Sequence, residues 1–197
     1  VIAASRAIVS LCTDHGDNAE RCAKSSVCLL VLKGLETHML HVEVTAALLA
    51  AVRALSSSVV NRHFFGSGDG CELMKYIMLK NIDHPQVCQY ACEAVGAIAA
   101  TSEANKNAYS VINMCDTILK ILRSHMEFDA VVIGSCAALK TLVKDHPDNA
   151  QITSTTATAA SLRGMPATDD PPLLGAGASW RHCASACRTT SSASHST

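Results

Sequence analysis

Four times along this chain an alanine is followed, one and four residues later, by an aliphatic side chain. The sets are Ala7 with Ile8 and Leu11, Ala51 with Val52 and Leu55, Ala94 with Val95 and Ile98, and Ala138 with Leu139 and Leu142. The spacing i, i+1, i+4 puts each set on one face of a helix. The small residue allows a second helix to approach closely. After each set comes an asparagine in what reads as a loop; Asn18, Asn61, Asn105 and Asn149 fall 43, 44 and 44 residues apart. A period in the forties marks a helical unit that cannot bury its own apolar face and must stack on its neighbours.

A second apolar pattern recurs downstream of the asparagines. Cys28, Cys71 and Cys115 share one position, Val31, Met74 and Ile118 another, and Leu35, Met78 and Leu122 a third. Between the two patterns lie Cys22, Phe65 and Tyr109, each four residues after its asparagine, one turn along the same helix face. These predict a short first helix. Gly66-Ser67-Gly68-Asp69-Gly70 breaks the second copy, because each glycine opposes helix propagation by about 1 kcal/mol. His84-Pro85 opens the helix that follows, with proline where its missing N–H costs nothing. Each unit is predicted as a short helix, a helix and a longer helix.

In this order of elements the chain resembles the armadillo repeat family. The clearest copy runs Asn61-Arg62-His63-Phe64-Phe65, then Leu73-Met74 and Ile77-Met78, then His84-Pro85-Gln86-Val87, and finally Ala91, Ala94-Val95 and Ile98. The likeness covers residues 1 to 152. HEAT repeats are the nearest rival, and the short, glycine-broken first helix argues against them. The resemblance implies an all-α, right-handed superhelix of about three and a half units whose third helices line a concave groove. It also implies a protein-binding function. Peptide-binding members carry a tryptophan just before the shared alanine and an asparagine three residues after it. Here those positions hold Arg6, Ala50, Glu93 and Ala137, and Ser10, Ala54, Ala97 and Thr141. Recognition of an extended peptide backbone through repeated amides is therefore not expected.

Composition supports the helical reading. Of 197 residues, 49% are hydrophobic and only 4% aromatic, as helix stacking through Ala, Val, Leu and Ile produces; β-sandwiches need more aromatic and β-branched residues. The richest apolar run, Ala46 to Val52, stops at Arg53, short of a membrane span, which predicts a soluble chain. Net charge is −1, and Lys and Arg are scattered without the basic stripe of a nucleic-acid binder. No nucleophile beside a base, carboxylate pair or phosphate loop has a signature, since the glycine-rich segment lacks the following lysine. No enzyme activity and no cofactor are expected.

Of the ten cysteines, Cys28, Cys71 and Cys115 share one packing position and Cys92 and Cys136 another, and they read as small buried hydrophobes with no metal role. Their number without a compact disulfide spacing predicts a reducing compartment, the cytoplasm or nucleus. His182-Cys183 with Cys187 has a spacing that zinc sites use, without two further ligands in view. His38 and His125 read as cations near the ends of second helices.

The chain opens in what reads as the third helix of an incomplete unit, so a longer parent array is expected. Residues 153–197 lose the periodicity and become rich in Ser, Thr and Ala, predicting a disordered tail with a short helix over 153–163. The expected function is a non-catalytic scaffold that binds a helical or amphipathic protein segment along the third-helix groove. Arg6, Ser10, Arg53, Glu93, Ala97, Lys140 and Thr141 are its candidate contacts, with Glu93 and Lys140 as a polar rim. The alternative is a structural spacer within a larger protein whose binding or catalysis lies elsewhere.

Overall fold

A computed structural model describes residues 1–164, with side chains to residue 155. All regular elements among the described residues are helices: α1 (Ile2–Cys12), α2 (Gly16–Lys24), α3 (Val27–His38), α4 (Val42–Leu55), α5 (Val59–Gly66), α6 (Asp69–Lys80), α7 (Pro85–Ala99), α8 (Glu103–Val111), α9 (Met114–Ser124), α10 (Asp129–Val143) and α11 (Pro147–Gly164). The chain is all-α. Between α1 and α11 the pattern short, medium, long occurs three times, as α2-α3-α4, α5-α6-α7 and α8-α9-α10. Among the long helices, α1 packs on α4, α4 on α7 and α7 on α10; the short helices α2, α5 and α8 pack in the same sequence, and α6 packs on α9.

The recurring alanines explain why the long helices lie so close. Ala51, Ala94 and Ala138 are fully or almost fully buried, and Gly96 on α7 leaves no ordinary space for a methyl group against the Ala138 backbone of α10. Leu55, Ile98 and Leu142, one turn on, are buried between neighbouring units. Turns repeat as well. The step from first to second helix places Ser26, Gly68 and Asn113 in the left-handed region, with φ of 57°, 53° and 54°. Gly68 is the one residue of the three for which that conformation carries no steric cost. In the same turn Gly66 lies against the Asn105 side chain and Gly70 against the Phe65 carbonyl, so a β-carbon at either would clash. Pro85 occupies the first turn of α7 behind the His84 cap, as its sequence position implies.

One expectation needs correction. The repeating asparagines are not loop residues; each is the third residue of its helix, α2, α5, α8 or α11. Their amides reach backbone carbonyls from within the helix, so no loop is required to satisfy them. His125 caps the end of α9, as its sequence position implies; it is buried, and its Nε2 donates across the unit boundary to the Ile82 carbonyl at 2.6 Å. His38 ends α3 and stacks at 5.9 Å from the His41 ring.

Helix α11 runs through Ile152 to Gly164, covering the short helix expected over 153–163. The rest of the expected tail, with His182, Cys183 and Cys187, lies outside the described residues.

Candidate functional site

The asparagine positions show how the units are joined. In each case Nδ2 donates to the carbonyl of the aliphatic residue four after the shared alanine, in the last turn of the preceding long helix. Asn18 bonds Leu11 at 2.7 Å, Asn61 bonds Leu55 at 2.9 Å, Asn105 bonds Ile98 at 2.8 Å and Asn149 bonds Leu142 at 3.0 Å. Those carbonyls are among the last four of a helix and have no partner within it. The second amide hydrogen reaches one unit back, from Asn61 to the Ala19 carbonyl at 2.8 Å and from Asn105 to the Arg62 carbonyl at 2.9 Å. The Asn61 Oδ1 accepts from Cys28 Sγ at 3.3 Å.

The next residue reaches forward. Arg62 donates to the Ser56 carbonyl at 3.0 Å and to Thr101 Oγ1 at 3.4 Å beyond the end of α7, while the buried Lys106 Nζ donates to the Lys144 carbonyl that caps α10. A cation at a helix C-terminus also meets the negative end of its dipole. A third link joins the turns after the second helices: Asn81 Nδ2 donates to the Met39 carbonyl at 2.9 Å, matching the bond from His125 to Ile82.

Against this fixed frame the accessible edge of the long helices carries the candidate contacts. Arg6 and Ser10 are exposed on α1, Arg53 is exposed on α4, Glu93 and Ala97 are half-buried on α7, and Lys140 and Thr141 lie exposed and half-buried on α10. Arg53 Nη1 pairs with Glu93 Oε2 at 3.0 Å, and Gln89 Nε2 donates to the other oxygen of Glu93 at 3.0 Å. Glu93 is thus engaged by its neighbours, and a partner that uses it must displace or share them. Arg53 is half exposed, so the pair is worth at most about 1 kcal/mol and exchanges readily. Thr141 turns its hydroxyl onto the Ala137 carbonyl of its own helix at 3.0 Å.

An open cavity of about 250 Å³ lies where the ends of α1, α4 and α7 meet, and it brings Arg53 and Ala97 together with Cys12, Asp14, Ser56 and Arg62. Arg6, Ser10, Glu93, Lys140 and Thr141 do not line it. Sequence reasoning missed Arg62, although a signal existed: a basic residue follows the repeating asparagine at both Arg62 and Lys106.

No family model, curated protein or solved structure matches the chain. What the site can do therefore rests on its own chemistry. The accessible edge offers small apolar surface, two guanidinium groups, an ammonium and several hydroxyls. Among the described residues no three His, Cys, Asp or Glu side chains converge to hold a metal ion, and no helix is long and apolar enough to cross a membrane.

Burial sets the chemistry of the thiols. It pushes Cys28 and Cys71 up to about 11, and Cys88 and Cys92 up to about 12. Few of these thiols are thiolates at neutral pH, and alkylation is expected to proceed only as fast as the chain opens. Mass spectrometry of iodoacetamide-treated native chain should find Cys88 and Cys92 unlabelled, with labelling restored in urea. These thiols keep their protons in the folded chain at pH values where the unfolded chain releases them. Their contribution is complete below about pH 9 and is lost progressively as pH rises toward 12. The urea midpoint should fall between pH 8 and pH 10.5.

Tyr109, buried between units, sets its hydroxyl beside the Cys71 sulfur, a weak acceptor, while the Cys71 thiol donates to the Gly66 carbonyl at 3.0 Å. Burial, with Cys71 as neighbour, pushes the phenol's pKa well up. Tyr109→Phe is expected to leave stability within about 1 kcal/mol of the wild type, because it removes a weakly partnered polar group and keeps the ring. A urea titration of the variant measures this.

Proposed function

We propose that this chain is a non-catalytic protein-interaction scaffold built of armadillo-like units, with a partner segment lying along the groove of its long helices. The observation that carries this reading is the row of contacts from α1 to α4 to α7 to α10, which sets equivalent small and polar positions side by side. The repeated asparagine bonds support the same register, since each ties one unit to the last at matching atoms. The resemblance carries a right-handed superhelix, which would make that row concave. A helical or amphipathic segment suits the groove, because small side chains admit a helix and an aromatic-walled peptide site is lacking. The cysteine spacing read from the sequence, without a compact disulfide framework, suits a reducing compartment, the cytoplasm or nucleus.

The test is affinity capture from native lysate with the whole chain against the double variant Ala97→Arg, Thr141→Arg, after circular dichroism has shown equal helicity. Neither side chain is fully buried, so both can be enlarged without entering the core. Scaffold function predicts a protein retained by the wild type and lost by the variant. Equal retention would move binding off the groove. Retention by neither would favour the spacer role, for which the engagement of Glu93 by Arg53 and Gln89 already argues, since it leaves less of the groove unsatisfied.

A further inference from the structure

Cys28, Cys71 and Cys115, and likewise Cys92 and Cys136, recur at equivalent positions and are explained by packing. Cys12 and Cys22 are not. Cys12 ends α1, and its counterparts in later units are Ser56, Ala99 and Val143; Cys22 lies in α2, where later units place Phe65 and Tyr109. Packing favours an aromatic ring at the second position, and nothing in the repeat calls for sulfur at either. Yet the two sulfurs face each other at 3.8 Å across the α1-α2 turn. Cys12 is fully buried, whereas Cys22 is partly open to solvent, which gives a reagent access to one member of the pair. Both thiols are free.

We propose that Cys12 and Cys22 are a redox-active pair that forms a reversible intramolecular disulfide, locking α1 onto α2 and fixing the Cys12 wall of the groove cavity. A bonded S–S distance is about 2 Å, so closing the pair requires each side chain to turn by a modest amount without separating the helices. The oxidant is a small disulfide of the glutathione type. The Cys22 thiolate attacks one of its sulfurs and expels the first glutathione thiolate, leaving a mixed disulfide at Cys22. Cys12 then loses its proton to the expelled thiolate and attacks Cys22 Sγ, releasing the second glutathione. Two protein thiols are oxidised by two electrons, and one glutathione disulfide is reduced to two thiols. Burial and the neighbouring sulfurs hold Cys12 near pKa 11, so the accessible Cys22 is the first attacker and Cys12 the resolving group.

The lock matters because α1 is held, among the described helices, by α4 and α2. Its last residue lines the cavity shared with Arg53 and Ala97. That oxidation tunes partner binding rests on the groove reading above; the disulfide does not.

The test uses the full chain, incubated in buffers of increasing glutathione disulfide, alkylated without reduction and digested with trypsin. Cleavage after Arg6, Arg21 and Lys24 separates the two cysteines into peptides 7–21 and 22–24. The expected product is these peptides joined, two hydrogens lighter than their sum, reverting on reduction. Cys12→Ser should instead retain glutathione on Cys22, and Cys22→Ser should yield no joined peptide. In the wild type, glutathione retained on Cys22 without the joined peptide would overturn the proposal, as would both thiols staying alkylatable while other cysteines oxidise. Hydrogen exchange provides an independent readout: oxidation should slow α1 amides at least fivefold in the wild type and not in Cys22→Ser, and equal exchange before and after would overturn the lock. Neither readout involves a partner, so failure of groove binding would leave the disulfide standing.

Discussion

Asn61→Ala is expected to destabilise the folded chain by about 3 kcal/mol, whereas Asn18→Ala should cost less than about 1 kcal/mol. The two residues occupy the same repeat position and make the same kind of bond to the preceding long helix. Asn61, however, is fully buried and serves three groups: the Leu55 carbonyl, the Ala19 carbonyl and the Cys28 thiol. Removing its side chain takes a buried hydrogen bond from each of two carbonyls, leaves the Leu55 carbonyl with the Ser58 N–H alone, deprives the Cys28 thiol of its acceptor and opens a cavity between units. Asn18 bonds the Leu11 carbonyl in a solvated setting, where water replaces the amide. Asn61→Asp should be no better than alanine, because both carbonyls need donors and a carboxylate has none. Urea unfolding of the three variants, followed by circular dichroism, measures the series; equal losses at positions 18 and 61 would remove the asparagine from the joint.

Ile98→Ala should cost about 3 kcal/mol or more, while Leu11→Ala should cost less than about 1 kcal/mol. The two again share one repeat position, one turn beyond the recurring alanine. Ile98 is 0% exposed between α4 and α10, and Leu11 is 58% exposed on α1. Truncating Ile98 loses burial and leaves a cavity that close-packed helices cannot collapse into, since Gly96 already lies in tight contact with the Ala138 backbone. At Leu11 the methyl groups removed were largely in water. Chemically similar truncations at equivalent positions thus separate stacking from side-chain identity.

Much of the fold was legible because apolar period and asparagine period agree. Ala51, Ala94 and Ala138 marked the contact between long helices, and Gly66 to Gly70 marked a turn that the chain does make. The asparagines were placed one step out, in loops, because a polar residue at the edge of an apolar run looks the same in sequence whether its amide meets water or a carbonyl. Arg62 and Lys106 were missed for a related reason. Their targets, Thr101 and Lys144, lie just beyond the long helix of the same unit, 39 and 38 residues along the chain, and are specified by packing, not by local pattern.

The candidate site was less legible. Sequence marked which residues stand on the accessible edge but not which are already paired, so Glu93 was expected as open rim and lies bonded to Arg53 and Gln89. The facing of Cys12 and Cys22 was likewise hidden: the repeat predicts where each belongs, but the contact depends on the path of the α1-α2 turn, where Asp14 takes a φ of 59°.

Both the stability predictions and the proposed groove depend on the proposal that the units stack in one dimension, each held mainly by its neighbours. Hydrogen exchange of wild type and Asn61→Ala, resolved helix by helix under native conditions, tests this most directly. One-dimensional stacking predicts faster exchange in α2 to α6, where the lost bonds converge, with α9 and α10 within about twofold of wild type. Uniform acceleration from α1 to α11 would contradict it and indicate a single cooperative core.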